Sequence, residues 1–127
     1  MHPIPRPLLS LCPGLASVMG LAYLTGDPAR TASQSFAAAR QVAPMTTWGL
    51  LFLTGALVLA AALLAGHRHA LAWALFIGGG IYSWWAICFA ASALHDPTAS
   101  ATAWAIHGFI SASHYLAAWA VWTGRVA

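Results

Sequence analysis

Two histidines, His107 and His114, stand seven positions apart in the otherwise apolar stretch "WAIHGFISASHYLAAWAVW" over residues 104–122. Imidazoles in such a setting serve as haem or metal ligands, as stations along a proton path, or as polar groups that hold helices together. Partners decide between these roles. On one helix the two rings are about 10 Å apart along the axis, too far to share an iron. Haem would need a second histidine from another apolar run, and the other runs contain none, so only a homodimer could supply it. A hydrolytic metal site needs three or four converging ligands, which the chain does not offer. Ser111 and His114 lie one turn apart, yet no acid accompanies them to orient the imidazole as serine catalysis requires.

The remaining polar inventory is short. No Asp, Glu, Lys or Arg lies within any of four apolar runs, so the embedded carboxylate of a proton-coupled exporter is missing. Cys12 and Cys88 are far apart and form no CxxC. The paired thiols of a membrane oxidoreductase are therefore absent, and both cysteines read as buried, inert thiols. The expectation is a protein without catalytic residues, cofactor or metal, in which His107 and His114 are interhelical hydrogen-bonding groups. By depth, their candidate partners are Thr54 and Tyr82.

At 100° per residue, Ser100, Trp104, His107, Ser111, His114, Ala118 and Trp122 share a stripe about 80° wide, with bulky apolar residues opposite. Polar groups in lipid turn toward protein or water. The stripe is expected to face the bundle or another subunit. The sequence "GGGIYSWW" from Gly78 onward adds a second feature. Gly78, Gly79 and Gly80 in mid-membrane permit close helix packing.

The elements that position these residues follow from composition. Of 127 residues, 61% are hydrophobic and only 6% charged, too few charges to cover a soluble domain. The chain reads as a single membrane domain, all-α. It should be an antiparallel bundle of four transmembrane helices at about residues 8–25, 47–65, 70–93 and 101–122, each near the length needed to cross ~30 Å of hydrocarbon. The first run, which contains Pro13, reads as an uncleaved helix rather than a signal segment. Residues 66–69 ("GHRH") and 95–100 ("HDPTAS") are tight turns, the second with Thr98 or Ser100 as N-cap. Residues 33–42 form either a plain loop or a short interfacial helix. In the helical case Thr31 and Gln34 supply a capping box, and Phe36, Ala39 and Ala43 turn toward lipid.

The charge of +3 comes from five scattered arginines against two aspartates. Nucleic-acid binding needs clustered basic residues, and none are clustered. With four crossings, Arg6, Arg68 and Arg125 share one side, while Arg30 and Arg40 lie on the other with both aspartates. The arginine bias places both termini in the cytoplasm of a bacterial cytoplasmic membrane. Trp48 and Trp104 then open helices at the outer face, and Trp73, Trp119 and Trp122 sit toward the inner face.

The segments "GLAYLTGDPARTASQSF" (residues 20–36) and "VAPMTTWGLLFLTGAL" (residues 42–57), with a lysine-free, Ala- and Arg-rich composition, give the whole chain a resemblance. It resembles small four-span membrane proteins encoded by tailed phages of high-GC Gram-positive hosts. That resemblance implies a multi-pass membrane protein and carries no residue-level activity. Some such proteins lie among lysis genes as suspected holins, which often end in a charged cytoplasmic tail. Residues 123–127, "TGRVA", depart from that pattern. The reading is a non-enzymatic membrane protein that associates with itself or with a membrane partner through the polar face of its fourth helix. The alternatives are a holin-like pore and, remotely, a haem-binding redox module.

Overall fold

A computed structural model describes residues 6–26 and 28–125, the side chains of Arg6, Pro28 and Arg30 excepted. Among these residues every regular element is a helix. The elements are α1 (Arg6–Leu9), α2 (Leu11–Thr25), α3 (Pro28–Thr31), a 3-10 turn (Gln34–Phe36), α4 (Ala37–Val42), α5 (Met45–Ala65), α6 (Arg68–His95) and α7 (Ala101–Trp122). Three helices, Pro7–Thr25, Met45–Ala65 and Arg68–His95, are long and apolar enough to cross a membrane. The 22 residues of α7 match them in length, but its histidines, serines and tyrosine make it less apolar.

Local chemistry sets the helix ends. Gly66 closes α5 in the left-handed region at φ 69°, and its amide donates to the Leu63 carbonyl. A residue without Cβ adopts that backbone without strain. Gly124, at φ 73°, ends α7 in the same way. Its amide donates to Val121 O and the Arg125 amide to Ala120 O, at 3.1 and 2.8 Å, the paired bonds of a Schellman motif. Between α6 and α7, Asp96 Oδ1 accepts from the Thr98 amide at 2.8 Å and its hydroxyl at 2.6 Å. Those two bonds hold the Asp96 carboxyl below the usual carboxylate range. The cap of α7 is Ser100, through backbone geometry alone, and its amide donates to Ser35 Oγ at 2.9 Å.

The helices pair antiparallel. In the α2–α5 hairpin the backbones approach closely: a Cβ on Gly20 would stand 2.9 Å from Gly49 O, and one on Gly49 would stand 3.0 Å from Gly20 O. In the α6–α7 hairpin, Trp73 meets Trp122 near one end and Phe89 meets His107 near the other. An aromatic cluster joins the two hairpins. Trp85 packs on Tyr23, Trp48 and Phe52 at 5.2, 4.5 and 5.8 Å between ring centres. The Trp85 indole donates to the Tyr23 hydroxyl at 3.2 Å.

The connection from α2 to α5 differs from the interfacial helix with lipid-facing Phe36 and Ala39. Helix is present at Ala37–Val42, but Ala39 is 2% exposed and Phe36 packs against Phe89 and Tyr23. The inward turn has two causes. The α6 aromatics offer Phe36 a better apolar contact than the bilayer surface, and Ser92 Oγ accepts the Ala38 amide at 3.1 Å. Nor does Thr31 with Gln34 build a capping box. Ser33 stands at the cap without a side-chain bond, and Arg40 instead donates to the carbonyls of Thr31 and Ser33. Trp48 lies in the first turn of α5. It is buried, and its indole donates to Ala39 O at 3.0 Å. Trp73, Trp104, Trp119 and Trp122 are the exposed indoles at helix ends.

Candidate functional site: the polar seam between α6 and α7

The middle of the α7 stripe, from His107 to Ala118, is pressed against α6, while Ser100, Trp104 and Trp122 are exposed. His107, Ser111 and His114 are all buried, one turn apart or nearly so. Each histidine satisfies one ring nitrogen within its own helix. His107 Nδ1 lies 2.7 Å from Ala103 O and His114 Nδ1 lies 2.9 Å from Ile110 O. A carbonyl only accepts, so both Nδ1 atoms carry the proton. The rings then pack on aromatics. His107 stacks on Phe89 at 4.9 Å and 27°, and His114 lies 5.1 Å from the Tyr82 ring.

The interhelical hydrogen bonds centre on Ser111. Its hydroxyl donates to Gly79 O at 2.9 Å and lies 2.6 Å from Ser83 Oγ. Ser83 Oγ in turn lies 3.4 Å from the Tyr115 hydroxyl. Sequence reasoning did not single out Ser83 or Tyr115, yet a signal was available. Gly79 and Ser83 are four apart on α6, and Ser111 and Tyr115 are four apart on α7, so each pair shares a face.

The residues expected to partner the histidines do otherwise. Thr54 lies on the exposed side of α5. Tyr82 does lie between the two imidazoles, 6.3 and 5.1 Å from them, but as a packing ring. Its buried hydroxyl has no hydrogen-bond partner. Tyr82 and His114 share the lining of a small cavity of about 20 Å³, room for one water at most.

The glycine run divides. A Cβ on Gly78 would meet His114 Cδ2 at 3.1 Å, and one on Gly79 would meet the Tyr115 ring at 3.0 Å. On Gly80 the nearest atom would be the Tyr115 hydroxyl at an ordinary 3.8 Å. Gly78 and Gly79 are therefore the close-packing residues, and Gly80 is not. The closest approach, at Gly20 and Gly49, was not anticipated. Ala16 and Gly20, both buried and four apart, form the small-xxx-small pattern that marks such contacts.

Chemically, the seam is a set of helix-to-helix fasteners. Its donors are bound to backbone carbonyls or to neighbouring hydroxyls, the Tyr82 hydroxyl excepted. Among the described residues no three His, Cys, Asp or Glu side chains converge. Cys12 is half-buried and Cys88 is buried; both are free thiols. Comparison with family models, curated proteins and solved structures finds no match to this chain.

Proposed function

We propose that this chain is a small, non-enzymatic, multi-pass membrane protein that works by lateral association in the bilayer, and that copies of it meet along the open face of α7. The observation that carries the reading is the state of the glycines. Gly20, Gly49, Gly78 and Gly79 are all covered, whereas nothing lies within 4 Å of the place where a Cβ would stand on Gly108, in the middle of a long helix, or on Gly14, near the start of α2. Ala101, Ala105 and Ala112 are exposed and fall within about 60° of Gly108 around the helix. Small residues let helix backbones approach closely in lipid, where packing replaces the hydrophobic effect as the driving force. The polar stripe itself is engaged by α6, which moves the association surface to the neighbouring face.

The reading takes α7 as a fourth crossing. Its histidines lower its hydropathy most, and His107 and His114, with Ser111, are buried against α6. A bacterial cytoplasmic membrane with both termini on the cytoplasmic side is supported by the arginine bias. A pore lined by His107, Ser111 and His114, as the phage-lysis alternative requires, would need α6 and α7 to separate along their bonded seam.

The test is single-molecule counting of labelled protein in liposomes as lipid dilution increases. The wild type is expected to form dimers or small oligomers. Gly108→Ile, an exposed change, should weaken association by about tenfold, the loss of one close helix contact. A wild type that stays monomeric at every density excludes self-association. Co-purification with one defined membrane protein, lost in Gly108→Ile, would replace the copy by that partner.

A further inference from the structure

We infer that the groove between the outer edges of α6 and α7 binds an anionic phospholipid, with one acyl chain in the groove and the phosphate held between Arg68 and Arg125. Ala72 and Ala118, small and facing each other, form the floor. Trp73, Phe76, Trp119 and Trp122 form the walls of a space of about 560 Å³, within the usual size of small-molecule sites. The walls are braced edge to face, with Trp73 at 5.8 Å from Phe76 and 6.3 Å from Trp122. From Arg68 to Phe76 the helix rises about 12 Å, close to the depth of one bilayer leaflet. The groove thus starts at headgroup level and runs along the acyl region.

Charge at the mouth selects the occupant. The Arg125 guanidinium lies 4.4 Å over the Trp119 ring. Arg68 Nη1 stands 3.9 Å from where a Gly124 Cβ would be, at the end of α7 that carries Arg125. His69, packed on Trp122 at 5.0 Å, borders the same mouth. Among the described residues the one carboxylate, Asp96, is at the opposite end of α6. Two guanidiniums above an apolar trench match a phosphate joined to an acyl chain. A second copy fits less well, because a two-fold contact here would oppose like charges. The site is separate from the small-residue face around Gly108, so either can fail alone.

The experiment is native mass spectrometry of the full chain from neutral detergent, titrated with phosphatidylglycerol, phosphatidylcholine or glycerol phosphate. Phosphatidylglycerol is expected to be retained at least about tenfold better than phosphatidylcholine. Arg68→Gln with Arg125→Gln should weaken its retention by roughly 30-fold, about fivefold per arginine. Trp122→Ala should weaken both lipids. Equal retention of the two lipids, or a preference that survives in the double arginine variant, overturns the proposal. Glycerol phosphate that displaces phosphatidylglycerol at equal concentration would also overturn it, since the acyl groove would then contribute nothing. The same spectra report oligomeric state, which keeps the outcome distinct from self-association.

Discussion

At His107 and His114 the burial of a polar ring is resolved inside one helix. Each Nδ1–H reaches the carbonyl four residues back, which leaves the ring face free to pack on α6. The histidines therefore contribute chiefly as rings. His107→Phe is expected to cost under about 1 kcal/mol because the stack on Phe89 survives, and His107→Ala about 2–4 kcal/mol, as for other buried rings. Thermal unfolding in detergent measures both, and equal losses would mean that the hydrogen bond, not the ring, matters. Ser111 is different, since its hydroxyl bonds across helices to Gly79 O and Ser83. Ser111→Ala should cost about 0.6–1.7 kcal/mol. The inward stripe of α7 was legible in the sequence because His and Ser recur at helical spacing. Thr54 was misplaced for a physical reason. α5 is Leu- and Ala-rich on every side, so its sequence does not reveal which way it is rotated about its axis.

At the scale of elements, three adjacent glycines look equivalent until the helix is turned. Each step of 100° changes the direction a side chain would take, so α7 meets Gly78 and Gly79 and misses Gly80. A graded series follows. Gly79→Ala and Gly49→Ala should destabilise by about 1–3 kcal/mol, because the added methyl meets an aromatic ring or a backbone carbonyl. Gly80→Ala should be neutral or slightly stabilising, since the methyl has room and Ala favours helix. Chemical or thermal unfolding in detergent orders the three, and a Gly80→Ala loss as large as that of Gly79→Ala would contradict the packing. Helix extents were close to what apolar runs predict, and α6 extends two residues past residue 70 at the start and two past residue 93 at the end. The segment from Gln34 to Val42 was harder. Whether Phe36 turns to lipid or to protein depends on Phe89 and Ser92, far along the chain, and local pattern carries no trace of them.

Across the whole molecule, antiparallel pairing sorts the charges by end. Gly66–His69 and Arg125 lie at one end, with α1 beside them through Leu9, which packs in one cluster with Leu71 and Val121. The Asp96 turn and Arg40 lie at the other end. Arg40, Arg68 and Arg125 are all exposed: Arg40 donates to the Thr31 and Ser33 carbonyls, Arg68 donates to His69 Nε2 at 3.3 Å, and Arg125 lies over the Trp119 ring. On the proposed four-crossing topology, the end bearing Arg68 and Arg125 is the one retained in the cytoplasm. Alkaline phosphatase, which is active only after export, tests this at both ends. Fused after Arg125 it should be inactive in a bacterial host, and inserted in the turn after Asp96 it should be active. The pair matters more than either fusion. Activity at both sites would mean that α7 does not cross and instead lies against α6 from one side, which would leave its outer face, and with it Gly108, outside the hydrocarbon where small-residue packing operates.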